Sequence, residues 1–233
     1  VCEMNATHDL DSVFTFLRAP GRKSGLSHEQ FVERLVTTPV SNFPMSVHRK
    51  QITVRQSAGK GDTAEEEASD ATALVAEWLV CVLIGGDAAV QIACDAATLK
   101  LVPMAGVATR LPPAVPVPGR AFVSLPLPVE TMLPIHVNGC FEISSNRRDV
   151  WSGNDMTGDG QQRSSWNEAL LKDTVAMAWL QLILAGRKSV QLVPSASDTE
   201  TLLDPHDETN GRANFYRLFP DTTAVGTPWN IAC

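Results

Sequence analysis

Apolar residues recur along the chain at two periods, one strand-like and one helical, and polar, proline-rich or glycine-containing stretches separate the runs. The run "SVFTFL" at 12–17 is β-branched and aromatic and ends at the turn residues "APGR", which predicts a strand. Ser27 followed three residues later by Gln30 forms a capping pair. With Phe31, Val32, Leu35 and Val36 at helical spacing, it predicts a helix over 28–37 that stops near Pro39. The stretch 47–55, "VHRKQITVR", ends in alternation and predicts a second strand. Residues 56–70 are polar and acidic, with Glu65, Glu66 and Glu67 in a row, and predict a solvated excursion. Helix or disorder is expected up to about residue 74 and strand from Glu77 onward, closed by "GGD". The runs that flank the excursion then become antiparallel neighbours.

The second half follows the same logic. A short apolar run at 102–108 leads to "RLPPAVPVPGR", whose prolines at 112, 113, 116 and 118 lack amide donors and predict a rigid extended connector. Residues 120–125 and 134–137 predict strands, the latter continuing through Asn138-Gly139 into 140–143 as a hairpin. Trp166, Leu170, Met177, Leu180 and Leu184 keep a period near 3.6 residues, so a helix is expected from about Ser164 to Ala185, ending at Gly186. Trp166 and Trp179 are its expected core anchors. Residues 195–210 turn polar, and the aromatic run at 214–220 is expected to open a further helix or strand. The sum is an α+β chain, a mixed or antiparallel sheet with packed helices.

Composition narrows the function classes. A chain of 233 residues is long enough to fold without a metal or disulfide staple. Nineteen basic against twenty-six acidic residues give a net charge of -7, which opposes non-specific binding to nucleic acid or anionic membrane. The most apolar run, 73–86, is interrupted by Glu77 and falls short of a membrane span, so no membrane partner is expected. Five irregularly spaced cysteines without a CxxC pair suggest a reducing compartment, and Cys81 and Cys94 are expected as buried structural thiols. A start and an end that look like cut edges suggest part of a longer polypeptide.

Chemistry-bearing motifs are sparse. The sequence has no Walker A loop, no HExxH and no GxSxG, and its five histidines show no metal-ligand spacing, so no metal site and no self-contained catalytic set are expected. The glycine- and aspartate-rich stretch after Trp151 fails a calcium-loop template, because the twelfth position counted from Asp155 is Trp166. His136 is expected as a half-solvated hairpin side chain rather than a general base. Arg147 and Arg148 in "SSNRRD" are the residues of most interest: two fixed-charge guanidiniums after an apolar strand suit phosphate or carboxylate recognition. The alternative is a surface salt bridge, with Glu142 as one candidate partner of Arg148.

The stretches "FVSLPLPVETMLPIHVNGCFEISSNRRDVW" (122–151) and "RSSWNEALLKDTVAMAWLQLI" (163–183) resemble the sacsin family, in the portion that follows its ATP-binding domain. A Leu-Pro-Leu-Pro step, a Val-Asn-Gly-x-Phe strand, an arginine pair before tryptophan and a Trp-Asn-x-x-Leu helix start carry the resemblance. "EWLVCVLIGGD" and "SVFTFLRAP" resemble upstream parts of the same module, the latter the closing strand of its ATPase domain.

That resemblance implies three divisions. Residues 1–45 would close an upstream GHKL-type ATPase domain, 46–190 would form a middle or transducer-like αβ domain with an acidic insert at 56–72, and 191–233 would be linker and the start of a further segment. It implies a non-enzymatic part of an ATP-dependent, cytoplasmic chaperone or protein quality-control protein, which couples an upstream nucleotide site to client or partner contacts. ATP and Mg would be cofactors of the full-length protein, none being bound by this fragment alone. Partners would be the upstream ATPase domain and chaperones or client proteins. Arg147 or Arg148 would sense phosphate, with Asn146 shaping the loop and possible as a cofactor contact. A scaffold or protein-interaction domain without ATPase coupling is the alternative.

Overall fold

The computed structural model describes residues 2–5, 25–55, 73–96, 99–111, 118–153, 157–189 and 217–219. Expectations for the strand at 12–17, the acidic excursion, the proline-rich connector from 112 to 117 and the segment 195–210 lie outside these residues. The elements in chain order are β1 (Cys2–Asn5), α1 (His28–Thr37), β2 (Met45–Arg55), β3 (Ala73–Ile84) and α2 (Asp87–Asp95). They continue with β4 (Met104–Leu111), β5 (Arg120–Val123), β6 (Leu125–Glu130), β7 (His136–Gly139) and α3 (Asp159–Ala169), which passes through a π-helical segment (Leu170–Val175) into α4 (Ala176–Ser189).

One seven-stranded sheet in the order β1-β2-β3-β4-β7-β5-β6 organises the molecule. All neighbours are antiparallel except β5 and β7, so the fold is α+β with a mixed sheet. β2 and β3 pair over their full lengths as the flanking-run argument expected, and β3 begins already at Ala73 rather than Glu77. Cross-strand pairing with β2 overrides the helix propensity of alanine there.

Alternation decides the two faces. In β4, Ala105, Val107 and Thr109 are buried while Met104, Gly106 and Ala108 are half-exposed. The buried set joins Leu79, Cys81 and Leu83 of β3 and Val137 of β7 against Trp166, Leu170, Leu171, Val175, Ala178, Trp179 and Leu182 of the long helix. The helix therefore covers one face of the sheet. Its run Asp159–Arg187 is also long and apolar enough to cross a membrane; half of that apolar window is buried inside the fold.

α1 has the expected capping box, Ser27 with Gln30, and packs Phe31 and Leu35 beside Ile84 and Val90. The link from β3 to α2 turns at Gly85 and Gly86, both with φ near +131°. A Cβ on Gly85 would lie 2.3 Å from the ring of Phe43. The "GGD" motif is thus the hinge into a helix that the hydrophobic pattern did not reveal.

Two expectations are corrected here. Asn138-Gly139 is not a hairpin turn, because β7 is flanked on both sides: Asn138 pairs with Gly106 of β4 and with Phe122 of β5. Gly139 is needed instead because a Cβ would lie 2.7 Å from the Phe141 ring. The helix expected from Ser164 to Ala185 begins at Asp159 and runs through Gly186 to Ser189. Within it the π segment inserts an extra residue into one turn and rotates the apolar stripe. Leu180 and Leu184 are exposed as a result, and Trp179 and Leu182 are buried in their place.

That segment also aims two polar side chains at the β3–α2 hinge. Thr174 Oγ1 donates to the Gly85 carbonyl at 2.6 Å, and Asp173 Oδ2 accepts the Ala89 amide at 3.0 Å, within the first turn of α2. A carboxylate bound to a first-turn amide of a helix contributes about 1 kcal/mol. Asp173→Ala is expected to lower the unfolding free energy by that amount, read from the urea midpoint at unchanged slope.

Candidate functional site

The Leu-Pro-Leu-Pro step lies in β6, the edge strand, where missing amides at Pro126 and Pro128 cost no ladder bonds. β5 and β6 are joined through Ser124 alone, at φ +60°. Its amide donates to Asn138 Oδ1 at 3.3 Å. Asn138 is therefore a cross-link among β5, β6 and β7.

The tight turn of this region lies further on, at 142–151. Trp151 N donates to Glu142 O at 3.0 Å, Ser144 N to Asp149 O at 2.9 Å, and Arg147 N to Ser144 O at 2.8 Å. Ile143 and Val150 form an isolated antiparallel bridge. Asn146 shapes the tip: its Oδ1 accepts the Ser144 hydroxyl at 2.7 Å and the Arg148 amide at 3.0 Å. Arg147 takes φ +54°, a left-handed conformation that the surrounding bonds hold in place.

The long helix anchors this turn from beneath. Asn167, 2% exposed, accepts the Glu142 amide at 2.8 Å through Oδ1 and donates through Nδ2 to Glu142 O at 2.7 Å and Trp151 O at 2.9 Å. Trp166 Nε1 donates to Cys140 O at 2.9 Å, and Arg163 pairs with the Glu142 carboxylate. The Trp-Asn start and the strand-and-arginine stretch are thus two halves of one device. Arg163 takes the partner suggested for Arg148, and its role is not legible without the tertiary contact.

The turn presents residues 145–149 to solvent. Arg147 Nη2 lies 3.5 Å from Val123 O, at the β5–β6 link. Among the described residues the Arg148 guanidinium has no hydrogen-bond or ion-pair partner. Two permanent cations on a braced, exposed turn can bind a phosphate or carboxylate with little further loss of conformational entropy.

Beside this turn the face of the sheet opposite the long helix forms a trough of about 430 Å³. His136 lies on it between Trp78, with ring centroids 5.4 Å apart, and Phe122, at 6.0 Å and nearly edge-on. The His136 Nδ1 accepts the Arg120 amide at 3.1 Å, which requires that nitrogen to be unprotonated and leaves the neutral ring's proton on Nε2. Burial, and then the Arg120 charge, push the His136 pKa below its usual value. His136 was expected at the edge of a hairpin; its role as an aromatic wall of a trough arises from strand neighbours distant in sequence.

The thiols behave as apolar fillers. Burial pushes Cys81 up to about 12 and raises Cys140, while Cys94, only half-buried, is raised by burial and by Asp95. No group of three or more metal-ligating side chains occurs among the described residues.

Human sacsin is 31% identical to this chain over 160 residues, which amount to 66% of the chain and 3% of sacsin's own length. The chain is thus a sacsin-related region that spans a small fraction of that relative. No family model matches it, and no solved structure matches it.

Proposed function

We propose that this chain is a supporting module of a sacsin-like chaperone or quality-control polypeptide, without an active site of its own. Its arginine turn would serve an anionic group held by another domain. The observation that carries the reading is the bracing of the turn at 142–151: Trp166 and Asn167 of the helix start hold the strand end that presents Arg147 and Arg148. The stretches that resemble the sacsin family are the ones that make this contact. An ordered guanidinium pair is what a phosphoryl site built elsewhere requires for charge stabilisation, and the resemblance supplies an upstream GHKL-type ATPase as the source of that phosphate. Coupling between that ATPase and client contacts would then pass through the sheet and the long helix. Arg148, whose guanidinium has no partner among the described residues, is the better candidate to reach phosphate, and Arg147 to set the position of the turn.

The test uses the full-length polypeptide with Arg147→Ala and Arg148→Ala introduced separately. Arg148→Ala is expected to reduce ATP turnover by about a hundredfold while leaving the melting temperature of the region unchanged. Unchanged turnover and nucleotide affinity in both variants would overturn nucleotide coupling and leave the interaction-domain reading, which the open trough favours.

A further inference from the structure

The sheet face opposite the long helix is built in three rows across the strands. Lys50, Trp78 and Arg110 stand opposite one another on β2, β3 and β4. His48, Val80, Ala108 and His136 form the second row, on β2, β3, β4 and β7. Ser46, Val82, Gly106, Asn138 and Phe122 form the third, reaching β5. The trough exists because β4 contributes only Ala108 and Gly106 to the middle of these rows, between the branched side chains of β3 and the rings of His136 and Phe122. Four interstrand spacings give it a width of about 19 Å.

The net charge of the whole is -7, yet Lys50 lines the trough and the exposed Arg110, outside the lining itself, stands opposite Trp78 on β4; neither forms an ion pair among the described residues. Arg120 at the far edge is matched by Glu130 at 3.5 Å, and Glu77 is engaged by Arg49 on the opposite face. Trp78 is thus a half-exposed aromatic between two unpaired cations, a site for an apolar anchor with carboxylates on either side. The trough is wide and only partly enclosed, which suits a segment of a protein better than a small molecule, since small ligands are enclosed over most of their surface.

We propose that this face docks an acidic segment of a partner protein: an aromatic or aliphatic anchor enters over Ala108 and Gly106, against Trp78 and His136, and its flanking carboxylates meet Lys50 and Arg110. The proposal is independent of nucleotide coupling by the arginine turn.

The test selects random peptides displayed on phage against the whole chain and measures the enriched sequences by fluorescence anisotropy. Two variants serve as comparisons. Ala108→Leu fills the floor from a half-exposed position outside the helix-covered core, and the double reversal Lys50→Glu with Arg110→Glu inverts the border. Enriched peptides are expected to combine an aromatic or aliphatic anchor with Asp or Glu and to lose about tenfold or more in affinity for each variant, with melting temperatures unchanged. No enrichment, enrichment of basic peptides, or equal affinity for either variant would overturn the proposal. Competition by free indole-3-carboxylate as effective as by the peptides would make the trough a small-molecule site instead. Self-association in sedimentation velocity that Ala108→Leu abolishes would make the occupant a second copy of this chain, and either result would overturn the partner-segment assignment.

Discussion

Trp166→Ala is expected to destabilise the protein by about 4 kcal/mol, near the upper end for a single core truncation. The side chain is fully buried within the main apolar cluster. Removing the indole opens a cavity that surrounding side chains fill only in part. It also leaves the Cys140 carbonyl without the Nε1 donor it accepts from at 2.9 Å. Against the total stability of about 5–15 kcal/mol typical of a domain, one substitution of this size removes a large share. Trp166→Phe keeps most of the packing and loses the hydrogen bond, so about 1–2 kcal/mol is expected. Guanidinium denaturation of both variants separates the two contributions, and equal losses for Phe and Ala would show that packing is not the main one.

Asn167→Leu is expected to cost about 3 kcal/mol despite the same branched heavy-atom skeleton and greater apolarity. Its amide serves three backbone groups at once, the Glu142 amide, the Glu142 carbonyl and the Trp151 carbonyl, in a position 2% exposed. The Glu142 carbonyl keeps the Trp151 amide as a donor, so the Glu142 amide and the Trp151 carbonyl are the groups that lose their partner, each at about 1–3 kcal/mol, reduced where the turn opens to water. The local consequence is release of the turn that carries Arg147 and Arg148. Hydrogen exchange at the Glu142 amide should therefore accelerate more than exchange at the β3 amides, which pair with β2 and β4 independently of Asn167. A loss below about 1 kcal/mol with unchanged exchange at Glu142 would show that the side chain does not anchor the turn.

Both residues belong to the Trp-Asn step, and neither hydrogen-bonding role follows from its helical position. Periodicity assigns Trp166 to the core stripe, but the partner of its Nε1 is a carbonyl twenty-six residues away. Asn167 is a poor helix former that would ordinarily face solvent. Its burial makes sense only beside the ends of the 142–151 turn. In the same way the arginine pair is visible as charge, while the braced left-handed backbone that presents it depends on Asn146, Ser144 and the helix below.

Local signals were sufficient where one segment contains both halves of an interaction. The capping box of α1 lies within four residues. They misled where the deciding partner lies elsewhere. Asn-Gly between apolar runs favours a hairpin, yet β7 lies between β4 and β5, and flanking pairing on both sides excludes the return strand. Leu180 and Leu184 fit an unbroken helix, and the π segment turned them outward so that Asp173 and Thr174 could reach the Gly85-Gly86 hinge.

The amino-acid order alone determined β2, β3, β5, β7 and the first helix as elements, the α+β class, the burial of both helix tryptophans and the chemical identity of the arginine pair, since these follow from periodicity, capping and side-chain type over short distances; β1 and β6 were not legible in it. Tertiary structure alone decided the strand order, the phase of the long helix, the partners of Trp166 and Asn167, and the trough lined by Trp78 and His136. Each of those depends on groups brought together from distant parts of the chain, and neighbours in space leave no mark in the spacing of neighbours in sequence.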